Sequence, residues 1–287
     1  MRSYASAVAT KADRVGLGID IGGTGVKAAL VNLTTGALAS KRVRVVTPKP
    51  STPDAVAQTV KQVVDTIAVD NALPADLPVG AGLPGVIKRG QVMTAANIDK
   101  SWIGVSAAVL FSEALGRGVV AVNDADAAAI AEARLGAGKG ATGTVLLLTI
   151  GTGIGSGLLV DGQLVPNTEF GHIEIKGRDA EHQLSGVARE RRGLRWKAWA
   201  QEFNVYLAHL EGYVWPDLII LGGGVSKVLD KYREYLKSTA PIVPAQFLNV
   251  AGIIGAALAA ADAHPIASRA ARTTAAASAG ASGAANR

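Results

Sequence analysis

Gly18–Lys27 reads GIDIGGTGVK, and this stretch predicts two β-strands joined by a glycine turn. Alternating apolar residues lead into it, and Ala28–Val31 leads out of it. Gly22, Gly23 and Gly25 have no Cβ, so the backbone there can adopt positive φ and approach a ligand closely. Consecutive N–H groups in such a turn form a concave site for an anion. The stretch is therefore either a phosphate-binding hairpin or an ordinary glycine-rich hairpin.

Polar side chains around this turn also suit a phosphate ligand. Thr24 supplies a hydroxyl and Lys27 a positive charge. Asp20 lies at the end of the first predicted strand, where a carboxylate can hold a metal ion that is bound to phosphate. The glycine spacing matches neither G-x-G-x-x-G at the start of a helix nor G-x-x-x-x-G-K-[ST]. A dinucleotide-binding fold and a P-loop are therefore not supported.

The composition limits the class of protein. The chain has 287 residues, of which 49% are hydrophobic, and this is enough for one large domain or for two lobes with separate cores. No apolar run reaches the roughly 20 residues that span a bilayer, so no membrane segment is expected. The absence of cysteine excludes disulfides and thiolate zinc sites, and it fits a reducing cytoplasm. We therefore expect a cytoplasmic globular protein.

The net charge of +6 favours a polyanionic partner. Nucleic acid is not supported, because the sequence has no helix-turn-helix, zinc-finger or RNP-like pattern. A phosphate-rich small molecule or polymer remains. In the basic segment 176–197, Arg191, Arg192 and Arg195 form either a solvated helical face or a track for a polyanion. The other candidates for such a track are Lys41, Arg42, Arg44, Lys88 and Arg89, of which the first three otherwise form a solvated strand edge.

Two further glycine turns follow buried strands. Thr144–Ile150 runs into GTGIGSG (151–157), so the order of strand, glycine–threonine turn and strand is repeated. This repeat predicts a duplicated fold in which both turns face one cleft. DLIIL (217–221) ends in GGG (222–224) before a predicted helix. A glycine-rich helix start can bind phosphate or let a flat ligand lie on the backbone.

Several polar residues lie where α/β proteins place functional groups. Asn123 and Asp124 lie between a strand and a helix, where a carboxylate is either an N-cap or a functional residue. EFGHIE (169–174) places a histidine between two carboxylates, which can imitate part of a zinc site or bind a polyol. Asn97 lies among small neighbours and is either a turn former or a ligand contact.

Hydrophobic periodicity predicts the remaining elements. The predicted strands span 15–21, 26–32, 39–46, 79–83, 119–122, 144–150, 158–160 and 217–221. The predicted helices span 55–69, 105–115, 125–135, 194–213 and 250–261. Asp54 is the expected N-cap of the first helix.

The order of the motifs resembles that of one family. The chain carries in succession DIGGTGVK, GLPGVI, AAN, VNDADAAA, TIGTGIGSG, EFGHIEI and LGGGVSK. This order is similar to that of the sugar kinases of the ROK family, over about residues 15–262. The later segments GHIEIKGRDAE, PDLIILGGGVSK and PIVPAQFLNVAGIIGAAL resemble the polyphosphate glucokinase branch. The resemblance implies a two-lobed α/β fold of the actin/hexokinase/Hsp70 (RNase H-like) type, with the active site in the cleft between the lobes.

The same resemblance implies a domain organisation. The N-terminal lobe is expected over 15–122 with the first phosphate loop, and the C-terminal lobe over 123–250 with the second loop and the sugar site. A closing helix over 251–263 is expected to pack back on the N-terminal lobe. Residues 1–14 are expected to be a flexible lead-in, and 264–287, rich in Ala and Ser, a disordered tail.

The resemblance also implies a role for each motif residue. Asp124 is the expected catalytic base, and Asp20 is expected to hold Mg²⁺ through water. The residues expected to contact the sugar are Asn97, Asn123, Asp124, Glu169, His172 and Glu181. The residues expected to bind phosphate or nucleotide are Asp20, Gly22, Gly23, Thr24, Gly25, Lys27, Gly151, Thr152, Gly153, Gly155, Gly222, Gly223 and Gly224.

One segment departs from the pattern of many family members, which carry a cysteine-rich zinc motif after Gly-His. Here the corresponding segment is KGRDAEHQLS (176–185), which has no cysteine. Glu181 and Ser185 keep their spacing, so the sugar-binding glutamate can be retained without a structural zinc ion. We therefore expect no structural zinc, and we expect His172 to contact the sugar rather than a metal. Polyphosphate-type relatives share this loss.

The resemblance implies phosphorylation of the 6-hydroxyl of glucose, with mannose left open as a second substrate. The implied donor is inorganic polyphosphate, ATP or both, with Mg²⁺. The alternatives are an ATP-only glucokinase, a sugar-binding regulator of the same family and an actin-like or chaperone ATPase. A regulator needs an N-terminal DNA-binding domain, and only about 14 residues precede the first strand. A homodimer is left open.

Overall fold

The fold contains two five-stranded sheets with helices around and between them. The structure is a computed structural model that describes residues 14–95 and 98–263. The predicted sugar contact Asn97 therefore lies outside the described residues, as do the predicted tail and all but the last residue of the predicted lead-in. No helix in the described ranges is both long and apolar enough to cross a membrane.

The first half of the chain forms a sheet with the strand order β3-β2-β1-β4-β7. Strands β1, β2 and β3 are antiparallel, and β4 and β7 continue the sheet in parallel with β1. The elements are β1 (Val15–Gly22), β2 (Gly25–Asn32), β3 (Val43–Val45), α1 (Pro53–Asp70), β4 (Val79–Leu83), β5 (Ile87–Lys88), β6 (Gln91–Val92), α2 (Ala107–Leu115), β7 (Val120–Asn123) and α3 (Asp124–Leu135).

The second half forms a sheet with the order β10-β9-β8-β13-β14 and the same pattern of antiparallel and parallel pairs. The repeat that the glycine turns predict is thus present in the strand order. The elements are β8 (Thr144–Ile150), β9 (Ile154–Val160), β10 (Gln163–Val165), β11 (Glu174–Ile175), β12 (Arg178–Asp179), α4 (Ala180–Leu184), α5 (Gly186–Arg191), α6 (Trp196–Val214), β13 (Leu218–Gly222), α7 (Gly223–Ser226), β14 (Ile242–Pro244) and α8 (Ala251–Ala263).

Short 3₁₀ segments complete the described part of the chain. They span Lys100–Trp102, Phe170–His172, Leu229–Lys231, Arg233–Tyr235 and Leu248–Val250. One face of the first sheet packs on α1 and α2 around Trp102 and Phe111, which are both fully buried. The second sheet packs similarly on α6, whose Trp199 and Phe203 rings stack at 4.6 Å between centroids.

Helices α3 and α8 lie between the two sheets and contact each other closely. Their alanine-rich surfaces share one apolar cluster with residues of both sheets. Glycine makes this approach possible: a Cβ at Gly80 of β4 would lie 1.9 Å from the Ala256 carbonyl oxygen, and one at Gly255 would lie 1.6 Å from the Ala127 carbonyl oxygen. The small side chains therefore bring the start of α3 to the junction of the two sheets.

Some predicted boundaries are wrong for identifiable reasons. The predicted strand 39–46 shortens to β3, because the Ser40 hydroxyl accepts a hydrogen bond from the Leu30 N–H and replaces a strand partner there. Helix α1 begins at Pro53 with Thr52 at the N-cap position, so Asp54 lies in the first turn and is not the cap. Proline suits this first helical position because its missing N–H has no helical partner there.

Candidate active site

A cavity of about 200 Å³ opens at the junction of the two halves. Residues of β1 and β2 in the first sheet meet residues of β8 and β13 in the second sheet there. The predicted site residues that line it are Asp20, Lys27, Asp124, Gly222 and Gly223. Thr149 and Gly252, which the sequence analysis did not select, also line it. Five predicted residues from three motifs are thus brought together in one place.

The first glycine turn is held in place by side chains that follow it in the chain. The Arg44 guanidinium donates from Nη2 to the Thr24 carbonyl oxygen at 2.9 Å. The buried Thr47 hydroxyl donates to the Gly22 carbonyl oxygen. Within the described ranges, the N–H groups of Gly23 and Thr24 have no hydrogen-bond acceptor. The turn therefore has its carbonyl groups engaged and these N–H groups available for an anion.

Asp20 and Lys27 form an ion pair across the first hairpin. Lys27 Nζ lies 2.8 Å from Asp20 Oδ2, and both side chains are about one-fifth exposed. The two residues are direct partners in the antiparallel register, so their side chains lie on the same face of the sheet. The site thus holds a carboxylate and an ammonium group beside the first turn.

The second and third turns lie side by side because β8 and β13 are neighbouring parallel strands. In the second, the Gly151 N–H donates to the Gly153 carbonyl at 3.0 Å, and Thr152 is exposed. In the third, Gly223 has φ +75°, and a Cβ there would lie 2.4 Å from the Ile150 carbonyl oxygen. Only glycine fits this close, left-handed position.

A Cβ at Gly155 would lie 2.6 Å from Thr149 Oγ1 and 2.9 Å from Ala125 Cβ. Gly155 therefore allows the second hairpin to contact the start of α3, where Asp124 lies. Gly224 has open space around it and is exposed, so its backbone is accessible.

Asp124 is the first residue of α3 and faces the cavity. Its Oδ1 accepts a hydrogen bond from the Ala125 N–H at 2.8 Å. Burial raises the pKa of this carboxyl to about 7, and the charges of Asp20 and Glu169 raise it in the same direction, while the Ala125 bond opposes them. A carboxylate with a pKa near neutrality can accept a proton at physiological pH, as a general base must.

Asn123 is buried and joins three segments. Its Oδ1 accepts from the Asp126 N–H at 2.9 Å and so caps α3, the role that was the alternative to a functional one for Asp124. Its Nδ2 donates to the Gly85 carbonyl at 3.0 Å and lies 3.4 Å from Glu169 Oε1. Asn123 therefore links the start of α3 to the loops at 85 and 169.

The predicted sugar contacts Glu169 and His172 are neighbours, with 3.6 Å between Glu169 Oε2 and His172 Nε2. His172 Nδ1 lies 2.9 Å from Asp179 Oδ2. This hydrogen bond, with the nearby carboxylates, raises the pKa of His172, and it lowers the pKa of Asp179. Burial raises the pKa of Glu169. Glu181 accepts from the Ile154 N–H at 3.3 Å and adds its charge to this cluster.

Asp179 was not predicted as a site residue. It is brought to His172 by the small hairpin of β11 and β12, in which Glu174 pairs with Asp179. The only signal in the sequence is the Lys176–Gly177 turn between the two residues. A tertiary contact of this kind has no spacing rule, so the motif pattern could not identify it.

Asp126 and Asn167 were also missed. Asp126 Oδ2 accepts from the Asn167 N–H at 2.7 Å, and burial raises the pKa of Asp126 to about 6. The Asn167 side chain accepts from the Ile87 N–H at 2.7 Å and donates to the Ile87 carbonyl at 3.0 Å. We call these three residues the cross-half clamp, because they join the β5–β6 hairpin to the second half.

The predicted basic track is partly engaged in internal contacts. Arg192 makes two bonds to the Glu202 carboxylate, at 2.7 and 2.9 Å. Arg191 donates to the His182 carbonyl at 2.8 Å, whereas Arg195 is exposed before α6. The role of these three arginines stays a prediction.

The described residues, 14–95 and 98–263, contain no group of three or more His, Cys, Asp or Glu side chains that could hold a metal ion. An Mg²⁺ ion that is bound with phosphate needs only one or two protein carboxylates, because waters and phosphate oxygens complete its shell. Asp20 and Asp124 line the cavity, and only Oδ2 of Asp20 is in the ion pair with Lys27, so the residues present fit this mode of binding.

Comparisons with known proteins identify the family and its relatives. A model of the ROK family matches residues 16–190. A polyphosphate glucokinase of Mycobacterium tuberculosis is 46% identical over 247 residues, which cover 86% of this chain and 91% of that protein. The crystal structure of an inorganic polyphosphate/ATP-glucomannokinase from an Arthrobacter strain is 50% identical, with a TM-score of 0.84 over 87% of this chain and 99% of that one.

A ROK family glucokinase from Streptomyces griseus, solved with glucose and AMPPNP, is 26% identical, with a TM-score of 0.74 over 86% of this chain and 99% of that one. These likenesses confirm the resemblance and the fold class predicted from the sequence motifs. The chain belongs to the ROK family.

Proposed function

We propose that this protein phosphorylates the 6-hydroxyl of glucose, with inorganic polyphosphate or ATP as the donor. The observation that carries the proposal is the position of Asp124, whose pKa is about 7. The charges of Asp20, beside the first glycine turn, and of Glu169 both act on it, and Glu169 is grouped with Asn123 and His172. A relative at 46% identity is a polyphosphate glucokinase, which supports the same activity.

In the proposed reaction, the sugar O6 attacks the terminal phosphorus of the donor. The O6–P bond forms while the bond from that phosphorus to the bridging oxygen breaks, and the shortened donor leaves with the electron pair of this bond. Asp124 accepts the proton of the 6-hydroxyl. Phosphoryl transfer needs mainly in-line positioning and neutralisation of charge. Lys27 and the N–H groups of Gly23 and Thr24 would supply part of that neutralisation.

Asp20 is the residue proposed to hold Mg²⁺, largely through waters. The ion would supply positive charge to the donor phosphates. Asp20 is already held by Lys27 at 2.8 Å through one oxygen, so its orientation is defined before any donor binds. The second and third turns, with Gly151–Gly155 and Gly222–Gly224, are proposed to contact the donor phosphates and, for ATP, the nucleoside.

The sugar is proposed to bind between Asn123, Glu169, His172 and Glu181, together with Asn97. Carboxylates accept hydrogen bonds from hydroxyls, and amide and imidazole N–H groups donate to them, as a polyol requires. His172 has its Nδ1 held by Asp179, which leaves Nε2 toward Glu169 and the sugar side. Mannose is proposed as a second acceptor, because the glucomannokinase relative is 50% identical.

The two halves of the chain are proposed to act as lobes, 15–122 and 123–250, that close on the sugar, with the helix of 251–263 packed between them. Closure would exclude water and limit hydrolysis of the donor. The cytoplasm is the proposed compartment and a homodimer the proposed assembly. Two basic groups are proposed as alternative tracks for a polyphosphate chain: Arg191, Arg192 and Arg195, or Lys41, Arg42, Arg44, Lys88 and Arg89.

The direct test is sugar phosphorylation by the purified protein with Mg²⁺, comparing nucleotide-free polyphosphate with ATP on glucose and on mannose. Product with polyphosphate and glucose supports the full proposal. Product with ATP alone would keep the kinase and remove polyphosphate as a donor. Binding of glucose without phosphorylation by either donor would instead favour a sugar-binding regulator.

A further inference from the structure

We propose that Arg44 and Lys27 form a cationic row that binds the donor phosphates beyond the one that is transferred. The bound polyphosphate chain would then extend out of the cleft over β2 and β3, across the edge of the first sheet. This inference rests on the proposed function, since it concerns the donor of that reaction.

The strand register places the row. Asp20 on β1 is paired with Lys27 on β2, and Lys27 is paired with Arg44 on β3. Residues directly opposite in an antiparallel pair point to the same face. Lys27 lines the cavity, so Arg44 shares the cavity face of the sheet. Adjacent strands lie about 4.8 Å apart, so the backbones of Asp20 and Arg44 are roughly 10 Å apart.

The inner end of the row reaches the proposed base. On the other side of Asp20, its parallel partner is Gly82 of β4. A Cβ at Gly82 would lie 3.5 Å from Asp124 Cα. Asp124, Asp20, Lys27 and Arg44 therefore follow one line across the sheet, from the reacting hydroxyl to the edge strand. A linear donor that starts at Asp124 meets Lys27 and then Arg44 along this line.

The Arg44 guanidinium is held in place for an anion, and its charge is not neutralised by a carboxylate of the described residues. It is exposed, and no carboxylate within residues 14–95 and 98–263 lies within ion-pair distance of it. Its bond to the Thr24 carbonyl uses one of five N–H donors and fixes the guanidinium on the first turn. A Cβ at Gly25 would lie 2.7 Å from Arg44 Nε, so Gly25 makes room for this placement. The remaining donors suit phosphate oxygens.

The other basic groups are less suitable for the inner phosphates. Arg192 is paired with Glu202, and Arg191, at the end of α5, donates to the His182 carbonyl of α4. The opposite end of α5 is the one near the second turn, where the Val187 N–H donates to the Gly151 carbonyl. Lys41 and Arg42, by contrast, are exposed just before β3 and continue the positive surface beyond Arg44.

The binding of polyphosphate should depend on this row more than the binding of ATP does. ATP ends in a nucleoside, which can add contacts at the third turn, whereas polyphosphate has only charge to hold it. Contacts between Arg and phosphate are charge-assisted and salt-dependent. The loss of Arg44 should therefore weaken polyphosphate use and reduce the dependence of that use on salt.

The test compares Arg44→Gln with Arg44→Lys, with Lys61→Gln and with the triple variant R191Q/R192Q/R195Q. Lys61 lies on α1, on the opposite face of the first sheet, and is paired with Asp65, so Lys61→Gln removes one charge away from the cleft. The readouts are the KM for polyphosphate and for ATP at several salt concentrations, retention of polyphosphate on a filter without sugar, and Tm.

The expected result is a rise of about tenfold in the polyphosphate KM of Arg44→Gln, a smaller rise in its ATP KM and weaker filter retention. Arg44→Lys should recover part of the loss, and Lys61→Gln should match the wild type. An unchanged polyphosphate KM, or an equal rise for both donors with a lower Tm, would overturn the proposal. So would a loss confined to the triple variant.

The failure of the proposed function gives a different result. In that case the wild-type protein phosphorylates no sugar with either donor, while the filter assay still reports whether Arg44 binds polyphosphate. If the wild type and Arg44→Gln use polyphosphate equally well, the proposed function stands and only this inference fails.

Discussion

The raised pKa of Asp124 depends on residues that are distant from it in the sequence. Its place after β7 and at the start of α3 follows from a local pattern of strand and helix. Its pKa of about 7 arises from burial between the halves and from the charges of Asp20 and Glu169. The sequence could therefore place this carboxylate between a strand and a helix, but its pKa depends on the assembled cleft.

The rate should follow the ionisation of Asp124. A general base acts only when it is deprotonated, so kcat/KM should rise about tenfold per pH unit well below pH 7 and level off above it. The measurement is kcat/KM for glucose from pH 5 to 9 at saturating donor. A profile that is flat between pH 5 and 7 would contradict the assignment.

Ionisation of Asp124 should lower the stability of the fold, although it raises the reaction rate. The unfolded carboxyl ionises near its ordinary pKa of 3.8, and the folded one near 7, so stability is lost as pH rises between these values. Asp124→Asn removes this loss. Because Asp124 is partly accessible, we expect the variant to be more stable by on the order of 1–3 kcal/mol at pH 8 and by less at pH 4.5. Denaturant unfolding at the two pH values checks this, and equal differences at both would be inconsistent with it.

Asp179 is expected to position His172 for the sugar. Asp179→Asn should lower the pKa of His172 and raise the KM for glucose several-fold, with a smaller change in kcat. NMR titration of the histidine rings, of which the chain has four, gives the pKa directly. Asp230→Asn, at an exposed position, is the control. An unchanged His172 titration in Asp179→Asn would exclude the positioning role.

The packing of helix α8 depends on glycines in the neighbouring strands and on one glycine of its own. Its backbone lies against β1 and β4 at Gly18 and Gly80, and against α3 at Gly255. The sequence predicted the helix from its apolar composition but not these contacts, because a glycine in a strand also fits a bulge or a turn. Similarly, the sequence could not show that Ser40 would end the strand pairing that precedes β3.

Gly80→Ala should therefore destabilise the fold strongly. Its Cβ would lie 1.9 Å from the Ala256 carbonyl oxygen, and neither backbone can move away easily. We expect a loss of about 3 kcal/mol or more in the free energy of unfolding. Gly212→Ala, inside α6 with open space around it, is the matched control and should stabilise by about 0.5–1 kcal/mol. Similar small effects of both changes would show that α8 is not packed this closely.

In the whole molecule, the duplicated two-sheet α/β fold is the part that the sequence predicted well. The repeated glycine hairpins and the motif order were sufficient for this. The cross-half clamp was not predictable, because Asp126, Asn167 and Ile87 are far apart in the chain and carry no common motif. Asn167 has φ +60°, which asparagine tolerates better than most residues do.

Asn167→Gly tests whether the clamp matters for the sugar site. Glycine keeps the left-handed backbone and removes only the two side-chain bonds to Ile87. We expect faster hydrogen exchange of the Ile87 amide and a KM for glucose that is several-fold higher. Asn167→Asp keeps the acceptor for the Ile87 N–H. Its exchange rate and its KM for glucose should lie between those of the wild type and those of Asn167→Gly. Unchanged exchange and unchanged KM would mean that the clamp does not couple the halves.

We propose that this chain transfers a phosphoryl group to glucose with Asp124 as the base. The most direct measurement is glucose 6-phosphate formed from glucose and nucleotide-free polyphosphate, with Mg²⁺, by the wild type and by Asp124→Asn. We predict product from the wild type and a rate at least about 10²-fold lower from the variant. No product from the wild type with polyphosphate or with ATP, or normal turnover by Asp124→Asn, would contradict the claim.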